Sequence, residues 1–347
     1  VKAAVLPEYD TSLSKPVYVD IEEIPNPKIE KDSDVLVRVG GAGVCRTDLH
    51  VIEGLWRQRV QVQLPYVLGH ENAGWIEDVG SSVEGLKKGD PVICHPLVTS
   101  GYDLAARRGD DMHTEGSTFP GINADGGYAE LLKTTQRSLI KLPRTLAPKD
   151  VAPYADAGLT AYHVAKKASR HLLPGQFAVI IGAGGLGHIG VQALRALCGA
   201  NIIVVDRSPE ALALASKIGA DQVLKADGSE TEAVLKLTHG KGAEAVIDFV
   251  GEGGSVEAGI AMTRNAGCYY VVGYGGEIRI STMDMITSEK SIIGNLVGNY
   301  AELVELMALA DRGLVHLTTQ EYKLSDANRA LHDLRAGKVQ GRAVLVP

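Results

Sequence analysis

The sequence predicts an α/β plus β protein, a doubly wound parallel sheet joined to a β-rich domain. Three observations carry that expectation. The chain has 347 residues, and at roughly 150 residues per domain two domains are favoured. Up to about residue 150, short β-branched runs alternate with Gly, Pro and Asp, as in a partly closed antiparallel barrel. Beyond that point apolar strands alternate with helical stretches, which argues for a parallel sheet.

In the first part, 34–39, 74–80 and Pro91–Cys94 read as strands. The texture changes at Phe177–Ile181, a continuous apolar run of the kind found in a strand covered on both faces. A helix is expected at 185–197, then a strand at 202–206. Pro209 after Ser208 opens the next helix, where its missing N–H costs nothing. Further strands are expected at 221–224, 245–250, 268–272 and Ser291–Gly294. The last fifty residues return to a mixed texture and end in the strand-like Arg342–Val346. The expected division is therefore 1–152, completed by about 291–347, with 153–290 as the second domain.

Composition narrows the classes. Apolar residues make up 45% of the chain, enough for an ordinary core. The formal net charge is −7 and Lys and Arg are scattered, so no nucleic-acid partner is expected. No run of about 18 apolar residues is present, so no membrane span is expected. The first residues lack the apolar core and cleavage site of a signal peptide. Cys45, Cys94, Cys198 and Cys268 show no disulfide-like spacing. A cytoplasmic protein is the expectation, with the last three cysteines as small buried apolar residues.

Gly182-Ala183-Gly184-Gly185-Leu186-Gly187 follows the apolar strand directly. It matches G-x-G-x-x-G, in which the first glycine permits the tight turn. The second lets backbone approach a pyrophosphate, and the third lets helix and strand pack closely. Free N–H groups at the helix start would face the phosphates. Asp206 ends the next strand, about twenty residues on, where a carboxylate accepts from ribose hydroxyls and repels a 2′-phosphate. NAD is favoured. Arg207 is the residue type that pairs with a 2′-phosphate, so NADP stays open.

Three polar clusters offer metal donors: Cys45-Arg46-Thr47-Asp48-Leu49-His50, Gly69-His70-Glu71, and Asp156 within Asp156-Ala157-Gly158-Leu159-Thr160. Thiolate, imidazole and carboxylate make a three-ligand zinc set with a fourth position open. Taken singly, a Cys or His is more often structural, so spacing leaves both readings standing.

Together, in this order and over essentially the whole chain, these motifs closely resemble the zinc-dependent medium-chain alcohol dehydrogenases. The resemblance extends to 294–299 and to Gly341-Arg342. It implies a GroES-like catalytic domain beside a Rossmann domain, with reversible hydride transfer between alcohols and NAD. It implies Cys45, His70 and Asp156 as ligands of one catalytic zinc, with Glu71 as a carboxylate that approaches the metal during ligand exchange. Asp48 would orient the ligating histidine; the alternative is a turn carboxylate. Thr47 and His50 would form the proton relay; for His50 the alternative is an exposed barrel histidine. Thr160 would pack on the nicotinamide, Leu296 and Val297 would touch the cofactor, and Arg342 would contact the pyrophosphate. Arg342 is otherwise a solvated surface arginine. Trp56, Pro96 and Leu296 are placed near the substrate by rough position, with Trp56 equally a core residue. A homotetramer or homodimer is implied, joined through the edge strand of the nucleotide sheet near 291–300.

One departure stands out. Many relatives carry a structural zinc on cysteines spaced C-x2-C-x2-C-x7-C, and the matching positions here are Ser100, Asp103, Ala106 and Thr114. No structural zinc is expected, and a lobe at 99–118 without its clip is expected to be mobile. Asp103 and His113 alone would make a poor tetrahedral site. Two competing readings remain: a polyol or sugar-alcohol dehydrogenase of the same superfamily, and a nucleotide-binding protein without catalysis.

Overall fold

The computed structural model describes residues 1–60 and 62–347. The chain divides into two compact units. The first comprises 1–157, 298–311 and 317–347, and the second 158–297 and 312–316.

The first unit is built on a seven-stranded sheet. Its path runs Thr319–Lys323, Arg342–Val346, Asp34–Val44, Glu71–Val79, Pro91–Cys94 and Leu139–Lys141, with Leu131–Thr135 also paired to Asp34–Val44. All its pairings are antiparallel except Thr319–Lys323 with Arg342–Val346. The C-terminal strand therefore enters the first unit, with Val344 opposite Gly43. A small sheet of Asp20–Glu23, Lys2–Leu6 and Tyr66–Val67 closes over the same apolar core. The long strand Asp34–Val44 is buried at ten of its eleven positions, which is why it reads as a β-branched run and not as an alternation.

The second unit is a six-stranded parallel sheet. Its order is Gln222–Lys225, Asn201–Asp206, Phe177–Ile181, Ala243–Asp248, Thr263–Val271 and Ser291–Gly294. In chain order that is 3-2-1-4-5-6, the Rossmann arrangement, whose order reverses between Phe177–Ile181 and Ala243–Asp248. The strand Ser291–Gly294 pairs in this sheet, so the chain crosses back to the first unit at Gly298 and not near 291. Its backbone pairs along Thr263–Val271, from Cys268 opposite Ser291 to Val271 opposite Gly294, and that pairing outweighs the mixed texture around it.

Candidate active site

The metal donors lie within the first unit. Cys45 follows the strand Asp34–Val44 and caps the helix Arg46–Ile52. His70 and Glu71 stand where the chain enters Glu71–Val79, just after Gly69, whose φ of +99° suits glycine. Asp156 ends a 3₁₀ turn at Ala152–Ala155. One donor atom from each of Cys45, His70, Glu71 and Asp156 lies within 4.8 Å of the others, all of them buried.

Hydrogen bonding sorts the four. Glu71 is committed: Arg342 Nη2 donates to its Oε1 at 2.6 Å and also to Oε2, and the Ala157 N–H donates to Oε1 at 3.2 Å. His70 and Asp156 are not. His70 Nε2 lies 3.5 Å from Asp156 Oδ2, yet His70 Nε2 and Asp156 Oδ1 have no hydrogen-bond partner among the described residues. Buried polar atoms are seldom left so without a ligand. On the far side of the ring, His70 Nδ1 lies 3.2 Å from Asp48 Oδ1, close but not aligned as a hydrogen bond. Burial opposes a charge on His70, but Asp48 and Cys45 outweigh it and hold its pKa above the ordinary value. The surroundings thus favour positive charge, which a divalent cation would supply. Thiolate, imidazole and carboxylate are zinc donors, so these residues fit the ion.

The nucleotide features lie within the second unit. Gly182 has φ +86°, and a Cβ there would meet Val250 Cγ2 at 2.7 Å. A Cβ on Gly184 would meet nothing within 4 Å, so open space faces that backbone. A Cβ on Gly187 would lie 1.8 Å from the Gly182 carbonyl oxygen, so helix and strand meet there. The helix Gly187–Leu197 has no side-chain cap at its start; the His188 and Ile189 N–H groups donate to the Gly184 and Leu186 carbonyls, so an anion would meet the N–H groups of the glycine turn just before them. Gly182, Asp206 and Arg207 line a cavity of about 390 Å³ with Val250 and Glu252. Asp206 is held in place there: Oδ2 accepts from the Ala183 N–H at 2.6 Å and Oδ1 from the Ser208 N–H at 2.8 Å.

Two family models match the chain. The alcohol dehydrogenase GroES-like domain matches residues 31–144, and the zinc-binding dehydrogenase domain matches 185–312. The chain is 37% identical over 336 residues to the NAD-dependent alcohol dehydrogenase of Sulfurisphaera tokodaii, covering 94% of this chain and 96% of that protein. This chain belongs to the zinc-binding alcohol dehydrogenase family. The crystal structure of the alcohol dehydrogenase from Aeropyrum pernix matches with a TM-score of 0.95 at 48% identity, covering 100% of both chains. The family is not uniform: the D-arabinose 1-dehydrogenase (NADP(+)) of Saccharolobus solfataricus is 33% identical over 351 residues, covering 100% of this chain and 97% of that one.

Two expectations for this family member are corrected, the surface alternative for Arg342 and the burial of Cys198 and Cys268, and the other expected residues lie as follows. Arg342 is not a solvated surface arginine: it is 3% exposed and bound to Glu71. Leu296 is 49% exposed, while Val297 is buried with φ +50°; neither lines the cavity that holds Asp206. Thr160 is buried on the helix Ala157–Ser169 and does not line it either. Trp56 packs half-buried against the core of the first unit. Cys94 is buried there, and burial pushes its thiol up to about 12, but Cys198 and Cys268 are only half-buried. Thr47 and His50 are half-buried on the helix Arg46–Ile52, three residues apart and so on one face.

The lobe at 99–118 is not a bare loop. Asp103 caps the helix Leu104–Arg108, its Oδ1 accepting from the Ala106 N–H at 2.8 Å. Val98 and Thr118 bridge across its neck. Arg137 reaches in and donates to Thr99 Oγ1 at 2.9 Å, the Ala106 carbonyl at 2.8 Å and Asp111 Oδ1 at 3.2 Å. Asp111 Oδ2 then accepts from the Tyr300 N–H at 3.1 Å. Neither Arg137 nor the Arg342–Glu71 pair was visible in the sequence, because each joins residues distant in the chain.

Proposed function

We propose that this chain is an NAD-linked alcohol dehydrogenase, passing a hydride reversibly between primary or secondary alcohols and nicotinamide. The observation that carries this is the buried cluster of Cys45, His70 and Asp156, with donor atoms left unpaired beside a committed Glu71. Those three residues would hold one zinc ion, which supplies Lewis acidity and makes a bound hydroxyl far more acidic. Asp48 orients His70. Glu71 waits within the cluster under the hold of Arg342, which keeps its carboxylate charge compensated. The Thr47 hydroxyl takes the alcohol proton on a lone pair while releasing its own O–H proton toward His50, which passes it to solvent, a task suited to an imidazole with an unperturbed pKa of ~6.5.

In the second unit the backbone of Gly182, Gly184, Gly185, Leu186 and Gly187 cradles the pyrophosphate, and Asp206 accepts from the ribose hydroxyls. A carboxylate fixed by two N–H groups disfavours a 2′-phosphate. Arg207 is drawn to the Gly253 carbonyl at 3.2 Å, which supports NAD over NADP. Thr160, Leu296 and Val297 serve the nicotinamide end and Arg342 the pyrophosphate. Zinc is confined to the single catalytic site, because the lobe has no thiolate. The protein works in the cytoplasm, as its four free cysteines suit, and as a homotetramer or homodimer. The strand Ser291–Gly294 stands at the end of its sheet and offers an open edge for that contact.

A second reading, oxidation of sugars or polyols, is favoured by the likeness to the D-arabinose dehydrogenase. One experiment separates these. Zinc per chain is measured by elemental analysis, and NAD reduction is followed on butanol-like alcohols, sorbitol and D-arabinose before and after chelation. One zinc, with turnover on simple alcohols lost on chelation, is expected. Preference for the polyol or sugar moves the function to the second reading. Intact activity without zinc refutes the metal assignment.

A further inference from the structure

Asp48 is fully buried and has two oxygens with different company. Its Oδ1 faces His70 Nδ1. Its Oδ2 accepts the Cys45 N–H at 2.8 Å and the Tyr128 hydroxyl at 2.8 Å. Tyr128 is 0% exposed. The Gly43 carbonyl is also within reach of its hydroxyl, at 3.3 Å, but the shorter contact to a charged acceptor is the stronger one.

Tyr128 also grips the other side of the metal cluster. Its N–H donates to the Leu68 carbonyl at 2.9 Å, and the preceding Gly127 N–H donates to the Gly69 carbonyl at 2.8 Å. Its ring lies so close to Gly69 that a Cβ there would fall 2.3 Å from Tyr128 Cδ1. Gly69 immediately precedes His70. One residue therefore holds the His70 loop through backbone and ring, and the Cys45–Asp48 turn through its hydroxyl. Its own carbonyl is fixed by the Ala4 N–H at 2.7 Å, so the anchor is itself anchored.

We propose that Tyr128 is a positioning residue for the metal centre: through Asp48 it sets the spacing and orientation of His70 relative to Cys45. The proposal rests on the zinc reading above. Without the hydroxyl, Asp48 Oδ2 loses one of the two donors that hold it, the Cys45 N–H remaining, and the carboxylate is held less firmly toward His70. Outer partners of metal ligands usually contribute about 10- to 100-fold in metal affinity.

The test uses Tyr128→Phe with Tyr269→Phe as a matched control. Tyr269 is also a buried phenol donating to a buried carboxylate, Asp248, at 2.7 Å, in the second unit. Zinc dissociation constants are measured by chelator competition, and melting temperatures on metal-free protein. Both variants are expected to melt lower, but only Tyr128→Phe should bind zinc more weakly, by about tenfold. Asp48→Asn/Tyr128→Phe should then bind zinc no more weakly than Asp48→Asn alone, because the tyrosine acts through that carboxylate. If metal-free Tyr128→Phe does not fold, zinc release from the loaded protein to a colorimetric chelator is followed instead, and should be about tenfold faster. Zinc affinity or release unchanged within twofold, or additive losses in the double variant, overturns the proposal. Failure of the unaltered protein to bind zinc would refute the metal reading itself, a distinct result.

Discussion

The metal cluster and the lobe at 99–118 are the two places where the resemblance leads one to look for zinc, and they have gone opposite ways. In the cluster, Cys45, His70 and Asp156 keep donors of three kinds, and His70 Nε2 and Asp156 Oδ1 have no hydrogen-bond partner among the described residues. In the lobe, the Arg137 guanidinium binds a hydroxyl, a carbonyl and a carboxylate from three parts of the segment. Two oxygens there, Asp103 Oδ2 and Thr114 Oγ1, lack partners among the described residues, but one carboxylate and one hydroxyl make a poor tetrahedral set. A guanidinium presents five donors in a fixed fork and never loses its charge. It can replace an ion whose only task is to tie chain together. It cannot replace one that must offer an open coordination position to substrate.

Cys45→Ala tests the cluster side of that comparison and should have the largest effect. Zinc content and turnover should both fall to background, because two remaining ligands do not hold the ion. Binding of NAD, followed by fluorescence titration, should survive, since the glycine loop and Asp206 belong to the other unit. Turnover that persists in Cys45→Ala would break the comparison at its root.

Arg137→Met tests the lobe side. The variant removes three hydrogen bonds, one of them to the buried Asp111 carboxylate. A charged hydrogen bond contributes about 1.5–3 kcal/mol. The Arg137 side chain is 42% exposed, so water screens the pair and the lower end applies. That is roughly a tenfold rise in proteolytic cleavage within 99–118 when opening is fast relative to cutting. Zinc per chain should not change. A loss of zinc in Arg137→Met would show that the lobe supports the catalytic ion, and the two regions would no longer be separable.

The same contrast explains what the sequence discloses. The glycine loop is legible because its logic is local: within six residues Gly182 and Gly187 each meet a different steric demand, and Gly184 leaves open space before the backbone. The parallel strands are legible because burial on both faces writes continuous apolar runs. The proposed metal ligands Cys45, His70 and Asp156 are separated by long stretches of chain, and only the ordered resemblance gathers them. Tyr128 and Asp48 are 80 residues apart, and Arg342 and Glu71 are 271 apart, so no window of sequence contains either pair. The helix Tyr300–Asp311 escaped for a different reason. Apolar residues lie all round it, which erases the stripe that marks an amphipathic helix.

Asp103 gives the smallest expected effect and the finest test of the comparison. Asp103→Ala removes the cap on the Ala106 N–H, and losing such a cap costs about 1 kcal/mol. It also removes Oδ2, a buried oxygen without a partner among the described residues, and that loss is favourable. The two oppose one another, so cleavage in the lobe should rise less than in Arg137→Met, by under about fivefold. Asp103→Asn keeps the capping acceptor and should stay close to the unaltered protein. The decisive variable is added zinc. If Asp103 is a cap and nothing more, zinc in excess of one per chain protects neither the unaltered lobe nor the variants from cleavage. Protection of the unaltered lobe that disappears in Asp103→Ala would mean that Oδ2 waits for an ion, the role proposed for His70 Nε2 in the cluster.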